Sequence, residues 1–150
     1  MTCIIRPLSK DDIDAVCVIE NASFSNPWSR RMFLSELKHS GFYFSRVVED
    51  QASGQLVGYN FFWIVPEDEV QIANIAIHPD HRRQGIAQLL INDAINEGKN
   101  MKVSSVSLEV RESNHPARTF YEKLGFQQVG QRPNYYKNPK EDALILRLFF

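Results

Sequence analysis

The segment Asn74-Ile75-Ala76-Ile77-His78-Pro79-Asp80-His81-Arg82-Arg83-Gln84-Gly85-Ile86-Ala87 constrains this chain more than any other stretch. Ile75, Ala76 and Ile77 form an apolar strand-like run that Pro79-Asp80 closes. From Ile86 the apolar positions Ile86, Ala87, Leu90, Ile91, Ala94 and Ile95 recur at helical spacing, so a helix is expected over 86–97, ended by Gly98. A buried strand thus runs through a short loop into an amphipathic helix. Gly85 and Ala87 keep bulky side chains off the first helical turn. The unpaired N–H groups and the helix dipole there make an anion site. Arg82 and Arg83 add charge suited to phosphate oxygens, and a pyrophosphate would fit. A solvated basic loop remains the alternative at this level. Better-known phosphate loops do not fit. A Walker-type loop ending at Gly98-Lys99 would need Gly at Asp93 and Ser or Thr at Asn100, and no G-x-G-x-x-G occurs.

The flanking chain alternates elements. Ile4–Arg6 reads as a short strand. Asp11–Asn21 reads as a helix with Ser9 as N-cap and Asp12 three residues on. Asn26-Pro27-Trp28-Ser29 is a turn, after which Ser29 caps a helix over Arg30–Lys38, with Gly41 beyond its end. Tyr43–Glu49, Leu56–Val65 and Val70–His78 read as an antiparallel meander punctuated by Ser53-Gly54 and Pro66-Glu67-Asp68. Ser104–Arg111 alternates: Val106, Leu108 and Val110 face one way, and Ser105, Ser107, Glu109 and Arg111 the other. Ala117, Phe120, Tyr121 and Leu124 form a helical stripe that Gly125 terminates. Phe126–Gly130 and Ala143–Phe150 complete the strands. This order predicts an α/β fold, a mixed sheet with helices on both faces.

The 150 residues suit one domain spanning 1–150. No apolar run approaches the roughly 18 residues of a membrane helix. The stretch Met1-Thr2-Cys3-Ile4-Ile5-Arg6-Pro7 meets charge and proline too early for a secretory signal. A formal net charge of −1 gives no bulk drive toward nucleic acid, so neither nucleic acid nor membrane is an expected partner. Cys3 and Cys17 are too few for a disulfide framework and match no metal spacing; they read as small buried apolar residues. That suits a reducing cytoplasm. His78 and His81 lack a third ligand cluster, so no metal is expected.

The loop Arg82-Arg83-Gln84-Gly85-Ile86-Ala87 matches the R/Q-x-x-G-x-G/A pattern of the GNAT acetyltransferases, with Ala in the last place. Leu108-Glu109-Val110-Arg111-Glu112-Ser113-Asn114 and Ala117–Phe126 also resemble GNAT motifs. So do Ile19-Glu20 through Phe24, Pro27-Trp28-Ser29, Asn134-Tyr135-Tyr136 and Glu141-Asp142-Ala143-Leu144. Nearly end to end, the chain resembles the RimI type of that superfamily.

The resemblance implies a single GNAT fold with a mixed, mostly antiparallel central sheet. It implies acetyl-CoA as cosubstrate, its pyrophosphate on the backbone amides of Arg83, Gln84, Gly85, Ile86, Ala87 and Gln88. The pantetheine arm would pair with Ile75, Ala76 and Ile77 like an added strand, and Asn114 would also touch CoA. It implies Glu109 as general base and Tyr121 as the acid that protonates the thiolate, with direct transfer in a ternary complex. Without it, Glu109 reads as a strand carboxylate in a salt bridge, Tyr121 as a core tyrosine and Asn114 as a helix N-cap. Phe24, Trp28, Tyr135 and Tyr136 would flank the peptide groove. RimI-type enzymes acetylate the amino-terminal alanine of small-subunit ribosomal protein eighteen, so that terminal peptide is the expected partner.

Chemistry bears on the amine. An α-amine has a pKa of about 7.7–8.0, leaving roughly a quarter neutral near pH 7.4, whereas a lysine at about 10.4 is only around 0.1% neutral. A weak base therefore serves an α-amine more readily. The alternatives are a GNAT acting on a polyamine or aminoglycoside, with Glu67, Asp68 and Glu69 as its acidic recognition, or a non-catalytic acyl-CoA-binding module.

Overall fold

The computed structural model describes residues 2–150; Met1, the first residue of the amino-terminal stretch read above, lies outside them. The strands are β1 (Cys3–Pro7), β2 (Tyr43–Asp50), β3 (Leu56–Val65), β4 (Glu69–Ile77), β5 (Ser105–Arg111), β6 (Gln127–Tyr136) and β7 (Glu141–Phe149). The helices are α1 (Ile13–Ser23) and α2 (Arg30–Glu36) between β1 and β2, α3 (Ile86–Asn100) between β4 and β5, and α4 (His115–Lys123) between β5 and β6. The strands hydrogen-bond in the order β1-β2-β3-β4-β5-β7-β6. The β1–β2, β2–β3, β5–β7 and β6–β7 pairs are antiparallel, and β4–β5 is parallel. The expected α/β class with a mixed, mostly antiparallel sheet is what forms.

The chain divides into two compact units. One holds the chain up to Trp63 with Ala73–Ala94, the other Ile64–Ile72 with Ile95–Phe150. In the first, neighbouring residues of β2 feed opposite faces, as the period of two demands. Val47 packs with Ile13, Val16 and Ile19 of α1, Phe33 of α2, and Tyr59 and Phe61 of β3. Val48 packs with Val57, Ile86 and Leu90, placing α3 on the other face. Ser9 is the N-cap of the turn that leads into α1, as expected, and Asp12 closes the capping box: its carboxylate accepts from the Ser9 backbone N–H at 2.8 Å and takes a two-pronged bond from Arg6. A 3-10 turn over Lys10–Asp12 therefore precedes the helix, which starts at Ile13, later than the sequence reading had it.

Ser29 caps α2 as expected, its oxygen accepting from Met32 N–H at 3.2 Å. The helix stops at Glu36 because the next amides close three-residue turns, Lys38 onto Ser35 and His39 onto Glu36. Cys3 and Cys17 are free and half-buried rather than fully buried, each packed at the margin of a core cluster.

In the second unit, α3 runs past Gly98 to Asn100. Gly98 is there for space: a Cβ would stand 2.7 Å from Val70 and 3.0 Å from Val103. The helix ends in a Schellman turn at Lys102, whose φ is 61°. Val103 N–H bonds Gly98 O and Lys102 N–H bonds Lys99 O. The alternation of β5 holds only in its second half. Ser105 and Ser107 are buried along with Val106, Leu108 and Val110, whereas Glu109 and Arg111 are half-exposed. β6 continues beyond Gly130 to Tyr136, paired with β7 through two register shifts, so Asn134-Tyr135-Tyr136 lies on a strand.

Candidate active site

In the first unit the turn before α3 has two left-handed residues, Arg83 (φ 63°) and Gly85 (φ 77°). Such alternation turns successive N–H groups to one side and makes an anion-binding concavity. It stands at the start of a 15-residue helix, whose first amides have no intrahelical partner. Arg82 through Gly85 are exposed, Ile86 is buried and Ala87 is half-buried. A Cβ on Gly85 would meet nothing within 4 Å. Its freedom therefore serves the positive φ and the approach of a ligand, not packing. Arg82 braces the turn: Nε donates to Ile77 O at 3.3 Å and Nη2 to Ser23 Oγ at 3.2 Å. Ala76 is buried, while Ile75 and Ile77 lean on the α3-side cluster. The parallel register of β4 with β5 covers Val70–Val106 and Gln71–Ser107, although β4 runs on to Ile77.

In the second unit Glu109 stands on the half-exposed side of β5. Its Oε1 lies 3.3 Å from Arg132 Nε, and its Oε2 is buried with no hydrogen-bond partner among the described residues. Tyr135 and Tyr136 share this cluster. Burial first, then the Glu109 carboxylate, raises both hydroxyls, that of Tyr136 up to about 12. Arg111 holds the cluster's far side. It lies 4.4 Å from the Tyr136 ring centroid, donates to the carbonyls of Pro139 (2.8 Å) and Lys137 (3.1 Å), and pairs with Glu141 at 3.3 Å.

Tyr121 is buried, with its ring against Phe120 and Phe126, and burial raises its hydroxyl well above the usual tyrosine range. Asn114 caps α4 by accepting from Ala117 N–H at 3.2 Å. Trp28 packs its ring against Phe33 (5.2 Å) and Phe61 (5.8 Å), whereas Phe24 and Tyr135 are exposed. The His78 and His81 rings meet edge to face at 5.4 Å. Among the described residues no His, Cys, Asp and Glu side chains gather as a metal site. Among them, too, no helix is long and apolar enough to cross a membrane.

Sequence reasoning gave three polar residues no role of their own. Arg132 reaches Glu109 only through the pairing of β6 with β7 and of β7 with β5. Asn74 joins Tyr59 on the buried carboxylate of Glu20. Glu20 had a legible signal. Ile13, Val16, Cys17 and Glu20 fall on one helical stripe, so a carboxylate occupies an otherwise apolar face.

Residues 13–126 match the acetyltransferase (GNAT) family. A Bacillus subtilis protein provisionally named as a [ribosomal protein bS18]-alanine N-acetyltransferase is 42% identical over 142 residues, 95% of this chain and 92% of its own. The [ribosomal protein bS18]-alanine N-acetyltransferase of Escherichia coli K12 is 34% identical over 146 residues, covering 96% and 95%. The crystal structure of the Escherichia coli ribosomal-protein-S18-alanine N-acetyltransferase superposes with a TM-score of 0.85 at 33% identity, covering 99% of this chain and 94% of that one. Arabidopsis thaliana NAA60, solved with acetyl-CoA, shares the fold at a TM-score of 0.84 and 21% identity, covering 99% of each chain. The left-handed turn opening α3, the carboxylate on β5 and these likenesses converge: the chain belongs to the GNAT family of acetyltransferases and is of the RimI type.

Proposed function

We propose that this protein transfers the acetyl group of acetyl-CoA to the amino-terminal alanine α-amine of small-subunit ribosomal protein eighteen, as a single cytoplasmic domain without a metal. The observation that carries the reading is the Glu109 carboxylate. One oxygen is held by Arg132 and the other, Oε2, keeps its lone pairs in a half-buried setting. The curated relatives named for the bS18 alanine supply the choice of peptide.

Acetyl-CoA binds with its pyrophosphate on the amides of Arg83 to Gln88 and its pantetheine along Ile75, Ala76 and Ile77. Asn114 contributes a further contact while capping α4. The amine nitrogen attacks the thioester carbonyl, and Glu109 takes the proton the nitrogen loses, directly or through water. A backbone N–H of the Ile75–Ile77 stretch holds the oxyanion, where a fixed donor acts on developing charge. As the C–S bond breaks, Tyr121 gives its proton to the thiolate; burial keeps that proton in place until then. Phe24, Trp28, Tyr135 and Tyr136 line the peptide.

The test is turnover of acetyl-CoA with an alanine-first ribosomal peptide, an internal-lysine peptide, spermidine and an aminoglycoside, with mass spectrometry of the product. Acetyl on the terminal nitrogen is expected. Exclusive acetylation of lysine or of a small amine rejects the peptide reading, and absence of turnover with all four rejects catalysis.

A further inference from the structure

Glu20 is a fully buried acid that the transfer mechanism does not use. It is the last-turn residue of α1, and it holds both ends of the segment that follows. Its backbone O accepts from Phe24 N–H at 3.1 Å, the final bond of the helix. Its side-chain Oε2 accepts from Trp28 N–H at 2.8 Å. The five residues from Phe24 to Trp28 therefore leave and return to a single residue. Phe24 sets out in extended conformation (φ −130°, ψ 143°), and Ser29 starts α2 directly after Trp28.

The other oxygen anchors the clamp. Oε1 accepts from the Tyr59 hydroxyl and from Asn74 Nδ2, the latter at 2.8 Å, so the carboxylate is tied to β3 and β4. Three donors from three parts of the chain converge on it. Only a carboxylate offers acceptor sites on both oxygens and no donor of its own. An apolar residue would have packed this position at less desolvation cost. Its place on the apolar stripe of α1 thus points to a geometric duty.

We infer that Glu20 is a positioning residue that fixes the Phe24–Trp28 segment in the shape that receives the acceptor peptide. This rests on the reading that the segment borders the peptide. Phe24 is exposed at its outer end, and the Trp28 ring is seated on Phe33 and Phe61 at its inner end. The backbone clamp sets where the two rings stand relative to β3 and β4. A segment freed at Trp28 keeps its side chains but must be ordered anew with each peptide bound, and that cost falls on peptide affinity.

The test compares three variants in steady-state kinetics with amide hydrogen exchange on the same proteins. Glu20→Met keeps the length and removes every acceptor. It should speed exchange at the Trp28 amide and lower peptide kcat/KM about tenfold or more, mainly through KM. The acetyl-CoA KM should stay at the wild-type value. Tyr59→Phe removes one anchor but leaves the Trp28 bond, so it should lower thermal stability with peptide KM unchanged. Phe24→Ala tests the underlying reading and should raise peptide KM. If Phe24→Ala raises peptide KM and Glu20→Met does not, the clamp falls while the peptide reading stands. If Phe24→Ala leaves it unchanged, the segment is not the peptide wall, and both fall. Should Glu20→Met fail to fold, the wild-type protein decides alone. A Trp28 amide protected as strongly as that of Phe24 supports the clamp, and one exchanging at the unprotected rate overturns it.

Discussion

Arg132 Nε sits 3.3 Å from Oε1 of Glu109, while Oε2 of the same carboxylate is buried without a hydrogen-bond partner among the described residues. The two oxygens thus have different surroundings. One is paired with a half-exposed cation, and the other is the oxygen proposed above to take the proton of the amine.

Glu109→Gln keeps the shape and removes that basicity. We expect kcat to fall by on the order of 10²–10⁴ while acetyl-CoA affinity changes little. The defect should shrink as pH rises through the α-amine pKa of about 7.7–8.0, because more amine arrives neutral. Steady-state rates across roughly pH 6–9 check this, and a wild-type rate throughout would remove Glu109 from the role of base.

For Tyr121 the expected loss in Tyr121→Phe is also on the order of 10²–10⁴ in kcat. Some acetyl-CoA affinity should go with it, because the hydroxyl is assigned to the sulfur. Burial raises this phenol, so the acid remains protonated through the ordinary tyrosine range near 10. The wild-type rate should therefore show no alkaline fall from Tyr121 below about pH 10, measured with amine saturating. A descending limb near pH 9 that disappears in Tyr121→Phe would contradict it.

Gly85 has open space around it and a φ of 77°. The Cβ of Gly85→Asp therefore enters open space, and the left-handed strain costs roughly 1–2 kcal/mol, within reach of a folded protein. The added carboxylate would face the pyrophosphate. Calorimetry should show acetyl-CoA binding strongly weakened, with a cooperative melt retained. Unchanged affinity in the folded variant would move the cosubstrate elsewhere.

Gly98 makes the opposite case. Helix propensity favours Ala over Gly by about 1 kcal/mol. A Cβ here, however, lies 2.7 Å from Cγ2 of Val70, a stiff, fully buried side chain. Overpacking of this kind costs about 1–3 kcal/mol, so the clash wins. Gly98→Ala should lower the melting temperature by a few degrees, and a higher Tm would show that the strand yields.

Asp12 is held below the usual carboxylate range, chiefly by its bonds from Arg6. A depressed folded-state value stabilises the fold above the unfolded pKa of about 3.9, and that contribution is lost as pH falls through the folded value. Asp12→Asn should lower stability at pH 7 by on the order of 1 kcal/mol, discounted because Arg6 is partly exposed. The difference from wild type should begin to shrink near about pH 4 and vanish only once the pH is below the lowered folded-state value, followed by chemical denaturation.

What the sequence determined by itself is local. Helical spacing from Ile86 to Ile95, the Ser29 cap and the alternation over the second half of β5 each rest on neighbouring stretches of chain, so composition and spacing encode them directly. Tertiary structure decided the rest. Gly98 looked like a helix end and proved a contact site, because only the fold brings Val70 beside it. Glu20 sits on an apolar helical stripe, and only the fold brings Tyr59 and Asn74 to it, from 39 and 54 residues away. Arg132 meets Glu109 because β7 lies between β5 and β6 in the sheet, and no local pattern reports strand order. Side chains that far apart in sequence interact only after the register is set, and register is a property of the whole sheet.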